Sequence, residues 1–403
     1  MKVTYHTGVD IGSSFIRTVV LSMDQHGHFK IAGNSVVLAN GVQKGHVVSP
    51  KEFADALREG VQKASADAGG VKIKKAHVAI GSAGLSSSVI SGSTLVGRTD
   101  KMITNFDLEK AYQAGISKWK ESNHKILHKI PLTYKIDGKE IDADPIGMQG
   151  SKIEVKFLVI SILSQYLEKM LEGFNRANVE LESVVASPLA SSILVLKERE
   201  AIAGAMISDI GQEVTTCAVF ENGQPISVFS LPIGGNSITE DIALTLKLDL
   251  EAAEGIKIGT HISNHPKKMV DEIIEARCED IYEIVNKELK KIGRNGLLPA
   301  GITLIGGGSR LGDIVEMTKK HLSLPVKIGV LNQAFENSFK LKDNTWFNAI
   351  GVVLYSLHDD NDANAKDTYK NESTKTGILS GVKSILKQFL PIFFFLISVN
   401  MTL

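Results

Sequence analysis

The sequence predicts an α/β protein made of two related units, and three observations lead to this fold class. Apolar β-branched runs alternate with segments of helical periodicity along most of the chain. The triplet Asp-Ile-Gly occurs at 10–12 and again at 209–211. Each triplet ends one apolar run and opens a tight turn into the next, which indicates a duplicated strand–turn–strand unit.

Length and composition limit the class of protein. The chain has 403 residues, more than one simple core usually holds, so two or more domains are expected. Its 45 basic and 45 acidic residues balance, so bulk attraction to nucleic acid is not expected. Cys217 and Cys278 lack metal-binding spacing and predict core residues in a reducing cytosol. No secretory signal pattern is visible at the start of the sequence.

Periodicity and turn residues place the main elements. Runs of β-branched residues bounded by Gly, Ser and Asn predict strands at 3–11, 15–23, 205–210, 215–220 and 227–232. A 3.6-residue apolar period predicts helices at 50–66, 107–121, 164–177, 266–292 and 313–322.

The first turn carries a candidate phosphate-binding motif. Gly12, at a strand–turn junction, lets backbone N–H groups approach an anion, and the hydroxyls of Ser13 and Ser14 add donors. Asp10, at the end of the strand, would hold Mg²⁺ through water, because this ion favours oxygen ligands and keeps several waters. Alone, the segment also fits a hairpin turn with a capping Asp.

The second turn repeats this pattern with fewer glycines. Gly211 follows Asp209, and Thr215 adds a hydroxyl at the start of the next strand. If this turn faces the first across a cleft, the two aspartates flank the phosphates and the metal.

Two further segments are candidates for the nucleoside side of such a site. The apolar run 301–305 leads into Gly306, Gly307 and Gly308, which would let the backbone approach a base or ribose, or would serve a strand–helix turn with positive φ. Glu254 and Lys257 lie three residues apart on one helix face and could bind a ribose and a base. A solvated surface pair is the alternative.

These motifs resemble those of the superfamily of actin and hexokinase, and within it most closely the FtsA family, over about residues 3–357. The similar segments are the phosphate motifs 8–20 and 207–220, the connecting helices 184–194 and 347–356, and the adenosine motif 302–314. More discriminating are segments outside the cleft, at 40–45, 77–81, 130–138 and 144–150.

The resemblance implies an actin-like two-lobed fold of duplicated ribonuclease-H-like domains with an FtsA-type inserted subdomain. Its parts would be a first lobe at 1–78, 160–198 and 344–357, an SHS2-like insertion at 79–159, a second lobe at 199–235 and 298–343, and a small subdomain at 236–297. The implied ligands are ATP and Mg²⁺, the metal being held through water by Asp10 and Asp209. Gly234 and Gly235 would join the glycines, Thr215, Glu254 and Lys257 in binding the nucleotide.

The same resemblance implies a role in cell division. The protein would assemble into protofilaments on the cytoplasmic side of the inner membrane at the division site, and would recruit the tubulin-like FtsZ ring and other division proteins. A pilus-assembly scaffold of the PilM type shares the core and is the nearest alternative. A sugar-kinase-like enzyme would need a base near the γ-phosphate and a substrate pocket between the lobes.

The sequence departs from the FtsA pattern at two places that bear on hydrolysis. Gln212, Glu213 and Val214 replace small residues in the second phosphate turn, and Thr216 stands where an Asp is common. Ser187, not a Glu, precedes the proline of the first connecting helix. Both changes remove groups that could orient a water, so ATP hydrolysis is expected to be weak or absent.

The C-terminal region predicts a linker followed by a membrane-binding tail. Residues 358–376 are almost purely polar and predict a disordered linker. In the tail, 377–403, apolar residues form one helical stripe beside lysines, and Pro391 leaves the apolar run too short to span a bilayer. The predicted membrane-contacting residues are Ile378, Leu379, Val382, Lys383, Ile385, Leu386, Lys387, Phe389 and Leu390. A helix that folds back onto the core or pairs with a partner is the alternative.

Overall fold

The computed structural model describes residues 3–261, 265–336 and 338–367, with side-chain surroundings described as far as residue 357. The first five-stranded sheet has the order β11-β6-β1-β2-β3, in which β1, β2 and β3 are antiparallel and β6 and β11 run parallel to β1. The elements of the chain before the insertion are β1 Thr4–Ile11, β2 Phe15–Met23, β3 Phe29–Leu38, β4 Val42–Gln43, β5 His46–Val47, α1 Pro50–Asp67 and β6 Lys75–Ile80, and β4 and β5 form a separate two-stranded sheet.

A separate four-stranded sheet of order β7-β10-β8-β9 is inserted after β6. Its elements are β7 Leu85–Leu95, α2 Asn105–Ile116, β8 His124–Ile136, β9 Lys139–Ile141 and β10 Lys152–Leu163. Phe157 of β10 is buried against α2 in a core of its own. The chain then returns to the first sheet through α3 Ser164–Ala177 and β11 Glu180–Ala186, and α1 and α3 pack on one face of that sheet.

The second lobe repeats the first sheet. Its order, β14-β13-β12-β15-β16, matches β3-β2-β1-β6-β11 strand for strand, with the same parallel and antiparallel neighbours. This correspondence confirms the predicted duplication. From β11 onward the elements of the chain, including the connecting helices α4 and α11, are α4 Ser187–Val195, α5 Glu198–Ala203, β12 Ala205–Ile210, β13 Thr215–Glu221, β14 Gln224–Leu231, α6 Gly235–Leu246, α7 Leu250–Lys257, α8 Lys267–Lys291, β15 Gly301–Ile305, α9 Ile314–Leu322, β16 Val326–Ile328, α10 Gln333–Glu336 and α11 Phe347–Asp367.

Helices α4 and α11 join the lobes and cross with their backbones in contact. A Cβ added at Gly351 of α11 would lie 2.1 Å from the carbonyl oxygen of Ala190 in α4. A Cβ at Gly8 of β1 would lie 2.0 Å from the carbonyl oxygen of Ala349. Both glycines are therefore needed for this close approach.

The inserted sheet also contacts the second lobe. Strands β7 and β14 are each the outermost strand of a sheet, and they lie against one another. The Val228 backbone N–H donates to Ser87 Oγ at 2.8 Å, and the Ser230 hydroxyl donates to the Leu85 carbonyl oxygen at 2.9 Å. The insertion thus touches both lobes.

Several predicted boundaries are wrong, and three of them have a clear physical reason. The helix expected at 107–121 ends at Ile116, because the chain turns at Ser117 to enter β8. The connecting helix expected from 184 begins at Ser187, because residues 184–186 pair with β6 and Pro188 favours the first turn of a helix.

The linker predicted from 358 is helical as far as Asp367, because α11 continues through it. A polar composition argues against burial but does not stop a helix that the preceding buried turns have already nucleated. The rest of the linker and the whole predicted tail lie outside the described residues. Within the described part of the chain, no helix has both the length and the apolar character that crossing a bilayer requires.

Candidate functional site

The two repeated hairpins end in equivalent turns. The Gly12 N–H donates to the Phe15 carbonyl oxygen at 3.2 Å, and the Gly211 N–H donates to the Val214 carbonyl oxygen at 2.9 Å. Each turn follows a strand whose next-to-last residue is an aspartate, Asp10 in β1 and Asp209 in β12. The duplication therefore brings two carboxyl groups to equivalent positions.

Asp10 and Asp209 interact electrostatically across the space between the lobes. Burial, followed by the charge of Asp209, raises the pKa of Asp10 to about 7. Burial also raises the pKa of Asp209, against the lowering effects of the Asn348 amide and the Arg17 guanidinium. The negative charges of these two neighbouring carboxyl groups are poorly compensated, so a bound cation would stabilise their ionised forms.

The Asn348 side chain adds a second sign of a missing polar partner. Its amide nitrogen donates to Asp209 Oδ2 at 2.8 Å. Its Oδ1 atom is buried and makes no hydrogen bond with any residue that the structure describes. A buried acceptor beside two carboxyl groups fits the water shell of a hydrated cation.

The third glycine segment lies directly against the second aspartate. Gly306 has a φ of 81°, and a Cβ there would lie 2.3 Å from Asp209 Oδ1. A Cβ at Gly308 would lie 2.3 Å from the Ile210 side chain, whereas one at Gly307 would meet nothing within 4 Å. Gly306 and Gly308 are thus needed for packing, and Gly307 faces open space.

The start of α6 rests on the second turn. The N–H groups of Gly235 and Asn236 donate to the carbonyl oxygens of Gly211 and Gln212, at 2.9 and 2.7 Å. A Cβ at Gly234 would lie 2.5 Å from the Gly211 carbonyl oxygen. The predicted residues Gly211, Gly234 and Gly235 therefore form one backbone unit, which the Thr215 hydroxyl supports by donating to the Ile233 carbonyl oxygen at 2.8 Å.

Lys257 and Glu254 are anchored to the same unit. The Lys257 ammonium donates to Glu254 Oε2 at 2.6 Å, to Thr239 Oγ1 at 2.8 Å and to the Gly235 carbonyl oxygen at 3.0 Å. The Lys257 side chain is only 9% exposed, so the alternative of a solvated surface pair is wrong for this lysine.

Direct polar contacts join the turns of the two lobes. The Ser14 hydroxyl donates to Gln212 Oε1, and the Lys44 N–H donates to Glu213 Oε2 at 2.5 Å. On the first lobe, the Gly45 N–H donates to Ser13 Oγ at 3.0 Å. Two of the three residues that interrupt the small-residue pattern of the second turn, Gln212 and Glu213, therefore touch the first lobe.

Two hydroxyl groups lie near Asp209, that of Ser187 on the first connecting helix and that of Thr216 on β13. Ser187 is fully buried, and its Oγ makes no hydrogen bond with any residue that the structure describes. A Cβ at Gly81 would lie 2.8 Å from Ser187 Oγ and 3.0 Å from Thr216 Oγ1. No glutamate or aspartate stands at either of these two positions.

Three contributors to the site are missing from the predictions. Arg17 is the cross-strand partner of Asp10, three residues beyond the turn, and a count along the hairpin could have found it. Asn348 and the Lys44–Gly45 loop lie within two segments that resemble the family, 347–356 and 40–45, but nothing in either segment marks these residues as part of the site. Asp10 and Asp209 are only two carboxyl groups. Among the described residues, no group of three or more His, Cys, Asp and Glu side chains could hold a metal.

Solved structures with similar backbones define the class of protein. The chain in the PilM–PilN type IV pilus biogenesis complex matches with a TM-score of 0.65 at 18% identity, over 87% of this chain and 98% of that one. MreB 5 of Spiroplasma citri bound to AMPPNP matches with a TM-score of 0.50 at 12% identity, over 91% and 100%. Together with the duplicated sheets, they show that the chain has an actin-like two-lobed fold.

The sequence comparisons identify the family. The family model for cell division protein FtsA matches residues 206–351, and the model for the SHS2 domain inserted in FtsA matches residues 84–161. The two matches together span more than half of the chain. FtsA of Pseudomonas aeruginosa is 26% identical over 93% of this chain and 96% of its own length, and FtsA of Streptococcus pneumoniae is 29% identical over 84% and 79%. The chain belongs to the FtsA family of cell division proteins.

Proposed function

We propose that this protein binds Mg²⁺-ATP between its lobes and uses the nucleotide to control assembly, as a scaffold rather than a metabolic enzyme. The observation that carries the proposal is the Asp10–Asp209 pair, which lies beside the glycine turns with its charge poorly compensated. Mg²⁺ commonly binds through one or two carboxylates plus substrate phosphates and waters, which suits a site without a complete set of protein ligands. The solved relative bound to AMPPNP supports a nucleotide in this fold.

The residues of the proposed nucleotide site divide into a phosphate side and a nucleoside side. Around the phosphates lie Gly12, Ser13, Ser14, Gly211 and Thr215, with Arg17 contributing positive charge near the two aspartates. The start of α6, at Gly234 and Gly235, supports the second turn through its backbone hydrogen bonds to Gly211 and Gln212. The open space at Gly307 and the anchored Glu254–Lys257 pair suit the nucleoside. Mg²⁺ bound there would neutralise charge on the phosphate oxygens.

A substitution at Gly307 tests this assignment. Val at this position should leave the fold intact, because its side chain would enter open space, but it should lower ATP affinity at least about tenfold by filling the nucleoside site. Gly97→Val, on an exposed glycine of the inserted subdomain with open surroundings, is the matched control. Calorimetry that shows equal ATP affinity for both variants and the parent protein would refute the site.

We further propose that the protein forms protofilaments at the inner membrane face and tethers the FtsZ ring and other division proteins at the division site. The FtsA family match and the amphipathic sequence at 377–403 support this role. Joining many tails along a filament would make later membrane contacts intramolecular and so raise avidity.

Co-sedimentation with liposomes tests this second part. The full chain should sediment with vesicles that contain anionic lipid, more strongly with ATP than without it, and should bring purified FtsZ into the pellet. FtsZ alone with the same vesicles is the control. If the chain binds vesicles but FtsZ stays in the supernatant, a pilus-type scaffold becomes the better hypothesis for the function. That alternative now has support only from the backbone similarity to the PilM chain.

A further inference from the structure

The loop between β4 and β5 presents two backbone N–H groups toward the cleft. Lys44 and Gly45 both have left-handed φ values, 47° and 69°. The Lys44 N–H points to the Glu213 carboxylate at 2.5 Å, and the Gly45 N–H points to Ser13 Oγ at 3.0 Å. Consecutive backbone N–H groups in a turn conformation can form a concave anion-binding nest. We call residues 44 and 45 the nest.

Packing holds the nest in place. Gly45 is buried, and a Cβ there would lie 2.0 Å from the carbonyl oxygen of Gly81. The Ala83 N–H donates to the Lys44 carbonyl oxygen at 3.1 Å. The next residue, His46, stacks its ring on Tyr166 with 3.6 Å between ring centroids. The nest is thus fixed by the first lobe alone and does not depend on Glu213 for its shape.

The carboxylate that the Lys44 N–H contacts comes from the second lobe. Glu213 belongs to the second turn, and its neighbour Gln212 accepts from Ser14, a hydroxyl on the phosphate side of the proposed site. A carboxylate and an amide oxygen of the second lobe therefore satisfy donors around the first turn. A phosphate group has the same acceptor chemistry and more negative charge.

We propose that the nest is a third anion-binding element of the cleft, and that Glu213 occupies it in competition with the terminal phosphate of a nucleoside triphosphate. The proposal rests on the proposed nucleotide site, because the nest adjoins Ser13. A triphosphate must displace Glu213 to reach the nest, whereas a diphosphate leaves the Lys44–Glu213 contact in place. Glu213 therefore lowers the affinity for triphosphate relative to diphosphate.

The test compares ATP and ADP affinity, with Mg²⁺, in full-length variants by calorimetry. Glu213→Gln keeps the size of the side chain and removes its charge, so ATP should bind about 3- to 10-fold tighter and ADP should change less than about twofold. Glu279→Gln, the same substitution on an exposed part of α8, is the control and should change neither affinity. Lys44→Gly removes the ammonium group but keeps the N–H and allows the positive φ, so combining it with Glu213→Gln should preserve the tighter ATP binding.

The outcomes separate this inference from the proposed function. If the parent protein binds ATP, but Glu213→Gln leaves the ratio of ATP to ADP affinity unchanged, the competition is refuted and the nucleotide site stands. If Lys44→Gly abolishes the tighter binding when combined with Glu213→Gln, the ammonium group and not the nest holds the phosphate, which also refutes the inference. If neither the parent protein nor any variant binds nucleotide, both proposals fail.

Discussion

The side-chain amide of Asn348 donates a 2.8 Å hydrogen bond to Asp209, and so connects α11 to the aspartate at the end of β12. Helix α11 packs on β1 and α4, while β12 belongs to the second lobe. One buried polar contact therefore ties the helix that joins the lobes to the candidate cation site.

Removal of this contact should destabilise the protein. Asn348→Ala should lower the free energy of unfolding by about 1.5–3 kcal/mol, the usual contribution of a hydrogen bond to a charged group. The loss should be larger at pH 8 than at pH 3.5, because the raised pKa of Asp209 leaves it protonated at the lower value and the amide favours its charged form. Urea denaturation at both values measures it. An equal loss at both pH values would show that the amide only fills space.

The raised pKa of Asp10 should make stability depend on pH. Folding raises this pKa from 3.8 to about 7, so the folded protein holds more protons than the unfolded chain between these values. Stability should therefore fall as the pH rises from about 4 to about 7. Asp10→Asn should remove most of that fall and stabilise the nucleotide-free protein by about 1–3 kcal/mol at pH 8.

The same variant should bind Mg²⁺-ATP more weakly, because a ligand to the hydrated metal is lost. Asp271→Asn, on an exposed residue of α8, is the matched control for both measurements. An Asp10→Asn protein that is less stable than the parent at pH 8 would contradict the assignment of an uncompensated buried charge.

Contact between the connecting helices should make Gly351 intolerant of substitution. In an open helix, Gly→Ala stabilises by roughly 0.5–1 kcal/mol. Here the added Cβ would lie 2.1 Å from a backbone oxygen, so Gly351→Ala should instead destabilise by about 1–3 kcal/mol. The sign of the change in thermal unfolding, compared with Gly97→Ala, decides between a close helix crossing and a loose one.

ATP hydrolysis should be slow. Positioned acid–base groups typically contribute about 10²–10⁴-fold, and the helix position beside Asp209 carries Ser187. Phosphate release from purified protein should stay well below roughly 1 s⁻¹, the lower end for phosphoryl-transfer enzymes. Release at that rate or faster, lost in Asp209→Ala, would contradict this prediction.

The predicted tail should account for membrane binding. Leu386→Glu places a charge in the apolar stripe and should release the chain from liposomes with its melting temperature nearly unchanged. Lys383→Glu should weaken binding mainly to anionic lipid and at low salt, by about 1 kcal/mol or somewhat more. A drop of the melting temperature by several degrees in Leu386→Glu, with vesicle binding intact, would mean that the tail packs on the folded core.

Local patterns in the sequence were enough to predict the repeated hairpins and the helices at 50–66 and 164–177. Strand runs, turn residues and helical periods all lie within a few residues of one another, so no tertiary information is needed. Helix ends at 116 and 367 were missed for a different reason. They depend on where the chain turns and on how far a nucleated helix continues, which composition does not decide.

The candidate site could be predicted only as separate pieces. The glycine turns and both aspartates follow strands, and their positions are visible in the sequence. The differences among Gly306, Gly307 and Gly308 come from the packing of β12, and Asn348 arrives from residues far along the chain. Long-range contacts of this kind have no signature in a single sequence.

The contact between β7 and β14 has a further consequence for solubility. An outermost strand exposes unpaired backbone groups that can pair with another molecule and start aggregation. Here the Ser87 hydroxyl accepts from a backbone N–H of β14, and the Ser230 hydroxyl donates to a backbone oxygen of β7. Each strand therefore covers the edge of the other. The inserted subdomain thus protects the second lobe from edge-to-edge strand pairing with neighbouring protein molecules.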